Sequence, residues 1–114
     1  MSRTRLLFVD DDRSFGETVR RMLEQMGYDA RSESDPRKVF AEFATNSPKV
    51  DGVILDHIMP EISGLELARW LAYTRPHIPV ILLGGSPDFV YEAEEKPSNI
   101  RGVLFKPLSR TDLS

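Results

Sequence analysis

The chain has 114 residues, enough for one domain around one core. Its 40% hydrophobic and 29% charged residues are ordinary for a globular chain, and a net charge of -3 argues against a general nucleic-acid binder. The absence of cysteine removes disulfides, thiolate metal sites and cysteine nucleophiles; no apolar run is long enough to span a bilayer and no signal-peptide pattern opens the chain, so a cytoplasmic domain without membrane contact is expected.

Leu6-Leu7-Phe8-Val9 is a continuous apolar run followed at once by Asp10-Asp11-Asp12, the pattern of a strand buried on both faces with acids at its carboxyl end. Ser14 and Glu17 form an S-x-x-E capping box, Phe15, Val19, Met22, Leu23 and Met26 recur at helical spacing, and Gly27 closes that helix. Tyr28 to Ser32 is a more polar strand suited to a sheet edge. Asp35-Pro36 reads as an N-cap with proline at the first helical position, and Val39, Phe40, Phe43 and Ala44 supply the apolar stripe of a second helix that Asn46-Ser47-Pro48 ends.

Val50 to Leu55 is the third strand and delivers Asp56, after which Pro60 stops the extended run. Ser63 and Glu66 mark another helix start, with Leu65, Ala68, Leu71 and Ala72 along its inner face and Trp70 and Tyr73 packing at its flank. Arg75-Pro76 ends that helix, and Pro79 to Leu83 is a fourth buried strand ending in Gly84-Gly85. Pro97 and Asn99 limit a fourth helix to about two turns. Val103-Leu104-Phe105 is a fifth strand ending in Lys106-Pro107, and Ser109 to Asp112 begins a fifth helix.

This order is a β-α unit repeated five times, and right-handed crossovers fold such a chain into a parallel sheet with helices on both faces. Chemistry in such folds sits at the carboxyl ends of the strands. Here those ends carry Asp10 and Asp11, Asp56, Gly84 and Lys106, far apart in sequence and convergent in space. A carboxylate can attack phosphorus and hold the phosphoryl group as an acyl phosphate, provided positive charge is fixed nearby. Asp10, Asp11 and Asp56 are hard oxygen donors suited to Mg2+ or Mn2+, and Lys106 adds a point charge.

Val9-Asp10-Asp11, Asp56-x-x-Met59-Pro60, Gly64 and Lys106-Pro107 resemble the receiver domain of two-component response regulators. The resemblance implies a flavodoxin-like, doubly wound sheet of five parallel strands in the order 2-1-3-4-5. It implies Asp56 as phosphoacceptor, Asp11 as a direct Mg2+ ligand, Asp10 acting through a metal-bound water, the backbone carbonyl of Ile58 as a third protein ligand, and Lys106 on the phosphoryl group beside a cis Lys106-Pro107 peptide. The phosphoryl donor would be a phosphohistidine on a histidine kinase or histidine phosphotransfer domain. The chain would be a phosphorylation switch more than a turnover enzyme.

Two positions depart from that family. A hydroxyl residue is usual where this chain has Gly84, and an aromatic switch residue is common where it has Val103. Gly84-Gly85 can still offer backbone N–H groups to an anion. The fifth helix is cut short, which points to one receiver domain over residues 1–114 taken from a longer chain, with a partner or a homodimer as the other way to cover its apolar surface. The run from Ile100 to Arg110 is similar to receivers of hybrid sensor histidine kinases. Two other classes compete: a pseudo-receiver that signals without phosphate, favoured by Gly84 and Val103, and a phosphatase of the haloacid-dehalogenase type, favoured by Asp10-x-Asp12.

Overall fold

The protein is described by a computed structural model covering residues 3–45, 49–56, 59, 62–84 and 100–105, the side chains of 103–105 excepted. The elements run β1 (Arg5–Val9), α1 (Arg13–Gln25), β2 (Asp29–Glu33), α2 (Pro36–Thr45), β3 (Gly52–Asp56), α3 (Gly64–Thr74), β4 (Val80–Gly84) and β5 (Ile100–Phe105). The strands form one sheet in the order β2-β1-β3-β4-β5, every pair parallel. This is the expected doubly wound α/β architecture, with the polar strand β2 at an edge.

Alternation along the strands divides the core into two layers. Leu7 and Val9 of β1, Val53 and Leu55 of β3, and Val80 and Leu82 of β4 pack with Val39 and Phe43 of α2 and Leu65, Ala68 and Leu71 of α3. Phe8, Ile54 and Leu83 turn to the opposite face and meet Val19 and Leu23 of α1. Both faces of the central strands are therefore buried, which is why they read as unbroken apolar runs.

Caps fix where the helices start and stop, and one differs from expectation. The cap of α1 is Asp12, whose side chain accepts the Phe15 N–H at 3.1 Å; Ser14 already lies inside the helix. The expected S-x-x-E box fails because Glu17 turns along the helix to Arg20 instead, at 2.6 Å. At the other end, Gly27 takes φ 99°, the Gly27 N–H reaches the Glu24 carbonyl at 3.0 Å and the Tyr28 N–H reaches the Leu23 carbonyl at 3.0 Å. Those two bonds form a Schellman stop, and the left-handed residue between them favours glycine.

Asp35 accepts the Arg37 N–H at 2.9 Å ahead of Pro36, and Ser63 accepts the Glu66 N–H at 3.1 Å, both as expected. Three smaller expectations fail. Ala44 is exposed, since the inner face of α2 is filled by Val39 and Phe43. Tyr73 is 90% exposed; only Trp70 packs at the flank of α3, edge-on to Phe40 with ring centroids 4.7 Å apart. β5 is longer than predicted, beginning at Ile100 and slipping register opposite Val80 and Ile81. The predicted fourth and fifth helices and the turn at Asn46-Ser47-Pro48 lie outside the described residues.

Surface ion pairs give the domain an acid limb. The Arg20 guanidinium holds Glu17 down at about 2 from an ordinary 4.5, and hydrogen bonds from Arg37 and from the Arg5 backbone lower Asp35 and Asp51. Each folded-state value lies below the unfolded one, so the stabilisation is complete above the unfolded value and is lost as pH falls through the folded one. Asp51 is exposed and the Glu17 and Asp35 side chains are partly open to solvent, so salt screens the effect. The urea midpoint should therefore hold steady above pH 5 and fall between about 4.5 and 2, with a shallower fall for Glu17→Gln. A Glu17→Gln profile parallel to that of the parent chain would count against the Arg20 pairing.

Candidate functional site

Parallel register brings the acids together. Val9 sits beside Leu55, so Asp10, the next residue, leaves β1 alongside Asp56, the last residue of β3; Asp56 in turn sits beside Leu83, one step before Gly84 ends β4. One carboxylate oxygen from each of Asp10, Asp11 and Asp56 falls within 4.8 Å of the others. Asp10 and Asp56 are 1% and 2% exposed, whereas Asp11 is exposed. The cluster thus has two oxygens anchored in the sheet and one facing solvent.

The backbone around the acids is tied down. The Asp10 N–H donates to the Glu33 carbonyl of edge strand β2 at 3.1 Å, and Asp10 Oδ1 accepts the Asp12 N–H at 2.9 Å. Glu33 also receives the Asp35 N–H on its side chain at 3.0 Å, linking the end of β2 to the start of α2. A polar recess of about 290 Å³ adjoins Asp10 and is lined by Arg13, Gly16, Glu17, Ser32, Glu33 and Ser34. These supports went unnoticed in the sequence because they depend on backbone groups. Asp12 alone carried a side-chain signal, as an N-cap residue two places ahead of the predicted cap.

Three hard, anionic oxygens within one ion's reach are costly by themselves and match a hard divalent cation such as Mg2+, which binds through a few carboxylates and keeps several waters. Asp12 is not part of the cluster; its carboxylate caps α1. His77 does not belong to it and is exposed. Gly84 is buried at the end of β4, as predicted, and Val103 lies in β5 beside Leu82. Lys106, Ile58, His57 and Ser86 lie outside the described residues.

Comparison with known proteins agrees with this geometry. The family model described as the response regulator receiver domain matches residues 6–114. Response regulator MprA of Mycolicibacterium vanbaalenii is 39% identical over 79 residues, which are 69% of this chain and 33% of that protein, so the match takes in about a third of the relative's length. Among solved structures, a response regulator receiver domain protein from Clostridium thermocellum superposes with a TM-score of 0.83 at 27% identity, covering 96% of this chain and 87% of that one. Response regulator TrrA of Thermotoga maritima, solved in complex with Mg2+-BeF, gives a TM-score of 0.83 at 27% identity over 96% of this chain and 92% of its own. No helix among the described residues is long and apolar enough to cross a membrane. By sequence, by strand order and by the acids at its strand ends, the chain belongs to the response regulator receiver domain family.

Proposed function

We propose that the domain accepts a phosphoryl group from a phosphohistidine, on a histidine kinase or histidine phosphotransfer domain, onto Asp56, and that this event switches its signalling state. The observation that carries the reading is the meeting of Asp10, Asp11 and Asp56 within 4.8 Å at the carboxyl edge of the sheet, with Asp56 buried on a central strand. A nucleophile fixed at a strand end is preorganised for in-line attack and loses little freedom in the transition state.

An Asp56 carboxylate oxygen forms the new P–O bond as the P–N bond to the donor imidazole breaks, and the electron pair returns to the imidazole nitrogen. Asp11 and Asp56 would hold Mg2+ directly, Asp10 through a bound water, and Ile58 through its carbonyl; the ion supplies charge that offsets the repulsion between carboxylate and phosphate. Lys106 would contact the transferred group. Water later attacks phosphorus, releasing phosphate and restoring the Asp56 carboxylate, unless the group is passed on. The chemistry is that of a switch with self-phosphorylation and autodephosphorylation steps, not of a turnover enzyme. Gly84 favours a second reading, a pseudo-receiver that binds partners without phosphate, because β4 ends without a hydroxyl to read the phosphoryl group.

Incubation with a small acyl-phosphate donor and Mg2+, followed by peptide mapping, tests the choice. Label on Asp56 that disappears with EDTA and in Asp56→Asn supports the proposal. No label in the parent chain, or equal label in Asp56→Asn, overturns it.

A further inference from the structure

Asp12 stands between the acid pair and the first helix and engages both. Its side chain accepts the Phe15 N–H at 3.1 Å, and its carbonyl accepts the Gly16 N–H at 2.9 Å, opening α1. Its own N–H donates to Asp10 Oδ1 at 2.9 Å. The residue is extended, with φ -84° and ψ 102°, as an N-cap must be. One peptide plane therefore orients the buried Asp10 carboxylate, while the side chain of the same residue is clamped to the helix.

We infer that Asp12 is a positioning residue for the acidic centre, transmitting the fixed orientation of α1 to Asp10 through its backbone N–H. This rests on the reading of Asp10, Asp11 and Asp56 as a divalent-cation site. Without the clamp to Phe15, residue 12 is held to α1 only by its carbonyl bond from the Gly16 N–H, and the N–H that holds Asp10 Oδ1 turns with the loosened residue. Asp10 then gains rotational freedom that cation binding must remove. Loss of an outer support of this kind typically weakens metal binding about 10–100-fold. The same clamp explains why the third acid of the run is not a ligand: its carboxylate is used on the helix side.

The test separates clamp from charge by Mg2+ titration calorimetry of the whole chain, with circular dichroism confirming folding of each variant. Asp12→Asn keeps a good cap and removes the charge; Asp12→Gly removes the clamp at little cost in stability. Asp12→Ala removes it with the larger cap penalty. The expected Kd for Mg2+ rises about tenfold in the glycine and alanine variants. In the asparagine variant it rises less than about threefold, since only a screened charge is lost. Equal weakening in all three variants assigns the effect to charge and overturns the inference, as does unchanged affinity in the glycine variant. Should the parent chain itself bind no Mg2+, the reading of the acidic centre falls first and takes this inference with it.

Discussion

Asparagine in place of Asp56 is expected to stabilise the metal-free chain and to make it indifferent to Mg2+. Asp56 is buried and shares a space of 4.8 Å with the oxygens of Asp10 and Asp11. Two unit charges at that separation repel by about 3 kcal/mol at an effective dielectric constant of 20, before neighbouring dipoles and solvent reduce it. An amide of the same shape removes the repulsion and costs part of the hydrogen bonding of the carboxylate. A net gain of about 1 kcal/mol raises the melting temperature in EDTA by about 4–8 °C for a domain near this size. Saturating Mg2+ reverses the order: at one hundred times Kd it stabilises the parent chain by about 2.7 kcal/mol. A chain without its central ligand gains little. Melting both proteins in EDTA and in Mg2+ gives the four numbers needed. An Asp56→Asn protein that melts below the parent in EDTA would show that the acids are not frustrated by one another.

The fold was legible because its signals are local and redundant. Unbroken apolar runs such as Leu6–Val9 and Val53–Leu55 suit strands covered on both faces, and the β-α order implied a parallel sheet, while the strand order 2-1-3-4-5 came from the resemblance to receiver domains. The acids were legible for a different reason: Asp10 directly follows one such run, Asp56 ends another and Asp11 is next to Asp10, so the register of β1 against β3 brings them together. What escaped was decided by competition between neighbours. Ser14 and Asp12 both suit a cap, and Glu17 went to Arg20 in place of the box; Ala44 and Tyr73 match helical spacing as well as Val39 and Trp70 do. Periodicity names a stripe, but the width of the neighbouring layer decides where the stripe ends. The supports of Asp10 were invisible for a deeper reason, since the Glu33 carbonyl and the Asp12 N–H are groups that every residue carries.

Phe8→Ala should bring the domain close to unfolding while sparing the chemistry of whatever remains folded. Phe8 is fully buried as the penultimate residue of β1, paired with Ser32 on one side and Ile54 on the other, and its ring meets Phe15 edge-on at a centroid distance of 5.9 Å. It lies in the core layer beneath α1, with Val19, Leu23, Ile54 and Leu83. Truncation of a buried phenylalanine costs about 3–5 kcal/mol, against a total of about 5–15 kcal/mol for a domain. Phe8→Leu keeps most of the volume and should cost under about 1.5 kcal/mol. Tyr73→Ala, at a position 90% exposed, should change stability by less than about 0.5 kcal/mol. Urea unfolding of the three variants orders them directly; a Phe8→Ala variant as stable as the Tyr73→Ala variant would overturn the assignment of the α1 layer as core. Mg2+ adds a second readout. Asp10 is held by Glu33 and Asp12 and not by Phe8, so the folded fraction of Phe8→Ala should gain the same increment from the ion as the parent chain. A smaller increment would mean that the packing beneath β1, and not only its hydrogen bonds, sets the position of the acids.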